Sequence, residues 1–327
     1  MASQPEVSLL ISTFERPRHL ERVLASVAAQ RGVAGRFEVV VSDDGSGDDT
    51  FNVVRRFADQ VEFRVRFTTH PHRGFQLARC RNEGVRASAA PYLLFLDGDC
   101  IIPEDHIHRH LDARQRRVVW AGYCCRLNRR TSEQIDVAAV RSGDFLKLIP
   151  DHELRKLARL HRKSLWYNLI RHPTKPKLFG GNIGIWRSDY ESINGYDERF
   201  VGWGGEDDDL RLRLRRVGVR VKSILKWTRT YHLWHPPAPS APGKCSEGVN
   251  IPYLTKAGRP AICERGLWLR ASDGEIIDFG RRSIAETHET QDLSERNVVR
   301  LNDAPDATQQ VGSCVAPTEV FSQRRRA

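Results

Sequence analysis

Two clusters of acids carry the chemistry of this chain: Asp97-Gly98-Asp99 and Gly202-Trp203-Gly204-Gly205-Glu206-Asp207-Asp208-Asp209. Adjacent carboxylates repel, and burying them is costly unless a cation or a hydrogen-bonding ligand compensates. An Asp-x-Asp pair can set two carboxylates beside a hard divalent cation, Mg²⁺ or Mn²⁺, and Gly98 lets the backbone approach a ligand closely. A cation held there could bridge the acids to a diphosphate and neutralise charge on a leaving nucleotide. Read alone, the pair is equally a turn or a helix cap. Within Glu206-Asp207-Asp208, one acid suits a general base for an acceptor hydroxyl and another could hold acceptor hydroxyls. Acids are also favoured at a helix N-terminus. Trp203 offers a flat face to a sugar ring, or to ordinary core packing. Together the clusters predict metal-assisted group transfer.

Other residues bear on the same chemistry. Asp43-Asp44-Gly45-Ser46 is either a turn or a carboxylate pair for a nucleobase or ribose. His232 and His235 are an i, i+3 pair; one of them with Asp99 would make a carboxylate and imidazole shell that suits Mn²⁺ better than Ca²⁺, and His232 is the preferred ligand. Arg16, Arg73, Arg79 and Arg81 are candidates for phosphate contact. No Gly-x-Gly-x-x-Gly or phosphate-loop lysine is present. That counts against a dinucleotide oxidoreductase or an ATPase, and against a nucleotidyltransferase, the second enzyme class considered. A non-catalytic carbohydrate-binding homologue is the remaining alternative.

These residues need a scaffold. Val7–Ile11, Phe37–Val41 and Tyr92–Leu96 are apolar runs of strand length, and Val61 to Phe67 alternates like a half-exposed strand. Between them, Leu20, Val23, Leu24 and Val27 mark one helical face, with Pro17 suited to its first turn. Phe51, Val54 and Phe57 mark a second helix, and 75–87 reads as a third. The β-α-β-α order predicts a mainly parallel sheet with helices on both faces. Ligands then bind outside the carboxyl ends of the strands, where 12–16, 43–46 and 97–99 all fall. Further on, a strand is expected over 118–122, a basic helical region over 132–171 and a glycine-rich loop entering a strand over 179–186. An arginine-rich helix over 210–217 and a strand over 219–225 follow.

The chain has 327 residues, of which 40% are hydrophobic. That is enough to bury a full core. No run of 18 apolar residues spans a membrane, and residues 1–5 show no secretory signal. Seven cysteines without Cys-x-x-Cys spacing argue against a zinc site or a disulfide framework. A reduced, cytoplasmic protein is expected, with peripheral contact at the inner face of a membrane. The net charge of +11 fits solvated surface, an anionic membrane or a phosphorylated substrate. No recognition-helix, ribonucleoprotein or zinc-finger pattern supports a nucleic-acid partner.

The order and spacing of Val7 to Pro17, Val41 to Ser46 and Phe95 to Asp99 resemble the nucleotide-sugar half of family 2 glycosyltransferases. Gly180-Gly181-Asn182, Gly195 to Phe200 and Gly202 to Asp208 resemble the acceptor half of β-1,4-galactosyltransferases, polypeptide N-acetylgalactosaminyltransferases and chondroitin polymerases. The resemblance implies one GT-A domain over 1–280, with a nucleotide-sugar half (5–117) and an acceptor half (118–280), followed by a polar, disordered tail (281–327). It implies inverting, metal-dependent transfer from a UDP-sugar, UDP-Gal or UDP-GalNAc by preference, onto a glycan, glycolipid or lipid-linked hydroxyl in surface polysaccharide synthesis. Carried over by position, Ser12, Phe14 and Glu15 line the uridine pocket. Asp44 contacts the base beside Asp43, and Arg16, Arg79, Asp97 and Gly181 lie along the nucleotide sugar. Asp207 is the base, and Trp203, Glu206 and Asp208 contact the acceptor. Asp99, Asp97 and His232 hold the metal, and His235, three residues on, leaves the identity of the histidine ligand open.

Overall fold

The computed structural model describes residues 4–244, 247–268, 274–280 and 298–300. Its strands are β1 (Val7–Thr13), β2 (Phe37–Asp43), β3 (Val65–Thr69), β4 (Tyr92–Asp97), β5 (Cys100–Ile101), β6 (Val118–Ala121), β7 (Cys125–Arg126), β8 (Ile183–Trp186), β9 (Arg220–Ser223), β10 (Tyr231–His232), β11 (Glu275–Asp278) and β12 (Val298–Arg300). The helices are α1 (Pro17–Ala28), α2 (Thr50–Ala58), α3 (Leu77–Arg86), α4 (His106–Ala113), α5 (Arg129–Gln134), α6 (Val137–Ser142), α7 (Asp151–Leu169), α8 (Arg187–Glu191), α9 (Glu206–Arg216) and α10 (Ile251–Leu254).

The main sheet runs β12-β11-β3-β2-β1-β4-β8-β6-β9. Its heart, β3-β2-β1-β4, is parallel, as the alternation of strand and helix predicts. Every residue of β1 and β2 is buried, which is why these strands read as unbroken apolar runs. Alternate side chains enter two cores. Leu9, Ile11, Val39, Val41, Leu94 and Leu96 pack with α1 and α2 on one face. Leu10, Val40, Leu93 and Phe95 pack with residues of α3, α8 and α9 on the other.

Register converges the acids. Ser12 lies opposite both Ser42 and Asp97, and Thr13 lies opposite Asp43. The carboxyl ends of β1, β2 and β4 therefore share one edge. β8 is antiparallel to β4, with Ile183 opposite Phe95. Its leading loop, 180–182, thus arrives beside Asp97. A second sheet, β5-β10-β7, brings His232 opposite Cys100.

Several elements differ from the sequence expectation. The alternating run from Val61 becomes a strand only from Val65, because Phe63 instead packs against Phe37, ring centroids 4.4 Å apart. The helical region 132–171 is broken into three short pieces and one long helix, α7. Asp136 caps a new helix, and Gly143 ends it at a left-handed φ of 79°. Glycine adopts that conformation without steric cost. Pro150 then precedes α7. The helix expected from Leu210 begins at Glu206, so all four acids occupy its first turn. Of the expected tail, only Val298–Arg300 lies within the described residues, where it pairs with β11. No helix among the described residues is long and apolar enough to cross a membrane.

Asn82 ties the parallel half to the segment that precedes α9. Its amide donates to Tyr196 O and Glu198 Oε1, both at 2.9 Å, and its carbonyl accepts from Tyr190 OH and Tyr196 N. Asn82 is fully buried, so removing it strands several polar groups. Asn82→Ala is expected to cost about 3 kcal/mol, read as a fall in the urea midpoint. An unchanged midpoint would remove Asn82 as the tie.

Candidate active site

The loops after β1 and β2 build one wall. Asp43 accepts from the backbone N–H of Gly45 (3.1 Å) and Ser46 (2.8 Å) and from the Thr69 hydroxyl (2.8 Å). Its carboxylate shapes the turn, so of the two readings of this string the turn describes Asp43. Asp44 is buried and accepts from Gln76 N–H at 2.9 Å, while His70 Nε2 lies 3.5 Å from its other oxygen. Burial pushes the Asp44 carboxyl up to about 6. Burial also drives the neighbouring His70 down to about 4, which leaves it neutral at pH 7. Phe14 stacks on His72 with centroids 4.2 Å apart. Glu15 N–H donates to the Ser46 hydroxyl at 2.8 Å, which locks the two loops together. Glu15 itself sits at a left-handed φ of 44°, uncommon for a residue with a side chain. Ser12, 7% exposed, lies on β1 beneath them.

Three of the arginines named as phosphate candidates, Arg16, Arg79 and Arg81, have carboxylate neighbours within the chain. Arg79 is 1% exposed and lies 3.8 Å from Glu83 one turn further along α3. A phosphate could not reach it without rearrangement, so it is a poor phosphate contact. Arg16 instead reaches Asp99, with Nη1 3.3 Å from Oδ2.

The centre is Arg81, 2% exposed. Its guanidinium donates to Asp97 Oδ1 at 3.1 Å and to Asp207 Oδ1 at 2.9 Å, and Glu206 lies 4.0 Å away. One side chain therefore spans the two acid clusters. The Tyr196 hydroxyl donates to Asp207 Oδ1 at 2.8 Å, and Gly180 N–H donates to Asp207 Oδ2, also at 2.8 Å. The glycines of 180–181 are needed here. A Cβ on Gly180 would stand 1.7 Å from Arg81 Nη2, and one on Gly181 would stand 2.7 Å from Asp97 Oδ2.

The acids have different surroundings. Burial raises the Asp97 carboxyl, and Asp99 and Asp207 raise it further against the pull of Arg81. Burial would raise Asp99 too, but the His235 hydrogen bond, both imidazoles and Arg16 outweigh it and hold Asp99 well below the usual carboxylate range. Glu206 is pushed up to about 8, first by burial and then by Asp207, and its Oε2 has no hydrogen-bond partner among the described residues. It is mostly neutral at pH 7 and can donate a hydrogen bond. Asp208 turns to Lys177 and Arg211, 3.0 and 3.1 Å away. Asp209 faces inward to Arg213 at 2.7 Å and to Arg259. Trp203 is half-buried, and its backbone N–H donates to Ser240 Oγ at 3.2 Å. Gly202, Gly204 and Gly205 all sit at left-handed φ, which is why the string before the acids is glycine-rich.

His232 Nε2 lies 3.5 Å and His235 Nε2 3.0 Å from Asp99. All three donor atoms fall within 4.8 Å of one another. One carboxylate and two imidazoles fit a borderline transition ion such as Mn²⁺ better than Mg²⁺, which prefers oxygen alone. Both histidines thus lie within reach of Asp99, where the sequence favours His232. In sequence Arg81 is one of several arginines, and nothing inside the string Gly195 to Phe200 marks out the hydroxyl of Tyr196.

Residues 8–136 match the family described as glycosyl transferase family 2, and residues 167–236 match the N-terminal domain of galactosyltransferase. The chain is 30% identical over 236 residues to validoxylamine A glucosyltransferase of Streptomyces hygroscopicus subsp. jinggangensis, covering 66% of this chain and 52% of that protein. It is 38% identical over 101 residues to human β-1,4-galactosyltransferase 4, covering 30% of this chain and 28% of that one. The chain spans about half the length of the first of these relatives. In fold it is similar to S. aureus TarS in complex with UDP-GlcNAc, with a TM-score of 0.51, 14% identity, and coverage of 76% of this chain and 64% of that one. With the parallel sheet and the acids gathered at its carboxyl edge, these matches identify residues 8–136 as a glycosyl transferase family 2 region, followed over 167–236 by a galactosyltransferase-type segment.

Proposed function

We propose that this chain transfers a sugar, with inversion, from a UDP-sugar to a hydroxyl of a glycan, glycolipid or lipid-linked acceptor in the synthesis of a surface polysaccharide. The observation that carries the reading is the Arg81 guanidinium, which ties the Asp-x-Asp acid Asp97 to Asp207 across one cleft. Asp207 is the general base: it takes the acceptor proton as the acceptor oxygen bonds to the sugar carbon and the bond to the diphosphate breaks. Arg81 and the Tyr196 hydroxyl orient its carboxylate. Glu206, held neutral, donates to an acceptor oxygen, while Trp203 and Asp208 border the acceptor. Phe14, Asp44 and Ser12 border the uridine, and Asp43 holds their loop.

Asp99, His232 and His235 would hold the divalent ion, Mn²⁺ in preference to Mg²⁺, with Asp97 beside them. When bound, that ion supplies positive charge to the leaving diphosphate. The preference for UDP-Gal or UDP-GalNAc rests on the likeness of the 202–208 string to galactosyltransferases.

Asp207→Asn should lower UDP release by about 10²- to 10⁴-fold while UDP binding, followed by calorimetry, is kept; turnover near the native rate would remove Asp207 as base. Asp99→Asn and His235→Ala should each raise the Mn²⁺ concentration for half-maximal activity by on the order of ten-fold or more. Native-like Mn²⁺ curves in both would place the ion elsewhere. Gly180→Ala should cost about 10²-fold in kcat by displacing Arg81, and should lower the thermal midpoint as well, because the buried guanidinium is forced off its carboxylates. Full activity in that variant would show that the guanidinium bridge does not matter.

A further inference from the structure

Helix α7 carries a chemistry that the cleft does not use. From Leu154 to Ser188 the sequence contains no Asp or Glu, yet it includes Arg155, Arg159, Arg162, Lys163, Arg171 and Lys175. At the end of the helix, Leu165, Trp166, Leu169 and Ile170 are 55%, 58%, 75% and 48% exposed. Their i, i+1, i+4, i+5 spacing gathers them into one stripe. Single exposed apolar side chains are ordinary, but a contiguous group this size marks a contact surface.

The stripe borders a cleft. α7 packs on β9, with His161 Nδ1 3.0 Å from the Ser223 hydroxyl. Between them lies a cavity of about 600 Å³ walled by Trp120, Trp227, Arg171, Arg220, Lys222 and Lys226. None of the described residues that line it is acidic. Lys222 Nζ and Lys226 Nζ each lie 5.5 Å from the ring centres of Trp120 and Trp227 respectively. Leu165 belongs both to the stripe and to the cavity wall, so the two are continuous.

We propose that this cavity and the adjoining stripe form a docking face for an anionic phospholipid bilayer. The cations take headgroup phosphates, and Leu165, Trp166, Leu169 and Ile170 enter the interface between headgroups and acyl chains. Charge complementarity selects an anionic surface, and the aliphatic stripe selects a lipid one. A hydrated polyanion such as an acidic glycan or a nucleic acid would satisfy the cations but would leave the leucines and isoleucine in water. Tryptophan favours the membrane interface, and apolar insertion combined with basic attraction makes a stable peripheral contact where either alone is weak. No described helix is long and apolar enough to cross a bilayer.

The test uses the full chain and vesicle sedimentation, and does not depend on the transfer reaction. The protein should partition onto vesicles of phosphatidylcholine mixed with phosphatidylglycerol, not onto phosphatidylcholine alone, and raised salt should weaken the partition. Lys222→Glu with Lys226→Glu, and separately Leu165→Ser with Trp166→Ser and Leu169→Ser, should each lower it by about ten-fold or more with unchanged thermal midpoints. Should the apolar triple variant melt early, Leu169→Ser alone, at a side chain 75% exposed, must weaken the partition. Native-like partition of either variant overturns the proposal. So does equal binding to uncharged vesicles, or binding to heparin with none to the mixed vesicles.

Discussion

A buried guanidinium organises this protein. Arg81 is only 2% exposed. A charge so placed would be strongly destabilising without partners. It finds them in two carboxylates contributed by distant stretches of chain, Asp97 from the end of a parallel strand and Asp207 from the first turn of α9. The acids in turn depend on Arg81, whose positive charge offsets the repulsion between two carboxylates held on either side of it. The main features of the cleft follow from satisfying this group: the glycines that make room for it, the tyrosine hydroxyl beside it, and the amide that closes the far side of Asp207.

The same cleft separates carboxylates of similar type into different electrostatic states. Asp97 and Asp99 are two residues apart, yet Asp97 is raised and Asp99 is held low. The difference lies in their company. Asp99 faces two imidazoles and Arg16, whereas Asp97 shares one arginine with Asp207. Glu206, next to Asp207 in sequence, is pushed up to about 8 because burial removes its solvent and Asp207 crowds it, more than Arg81 offsets. An acid kept neutral, an acid kept ionised and an acid shared with an arginine are three tools from one residue class.

The backbone geometry that delivers these groups is economical. Parallel strands end together, so three loops meet at one edge. An antiparallel strand, β8, enters beside β4 in the reverse direction and lays the 180–182 loop against Asp97. That reversal lets the 180–182 loop touch the end of the parallel strands without a long connection. It also explains why glycine is required at 180 and 181, where any side chain would collide with Arg81 or Asp97.

Much of this is legible in the sequence alone. Apolar runs with turn residues at their ends locate β1, β2 and β4, and periodicity locates α1 and α2, because burial on both sheet faces and on one helix face leaves a local signature. The two acid clusters are legible for the same reason: unusual residue types crowd into a short span. What the chain cannot show locally is pairing across distance. Arg81 looks like any helical arginine until the fold sets Asp97 on one side and Asp207 on the other. The choice between His232 and His235 needs the second sheet, whose register carries both rings to Asp99. Asp43 and Asp44 are neighbours of one type and both are buried, yet the loop geometry engages one in the turn and leaves the other with a raised carboxyl. Composition and periodicity record what each residue prefers. Only the folded chain decides which charges meet, because that depends on the direction and register of strands far apart in sequence.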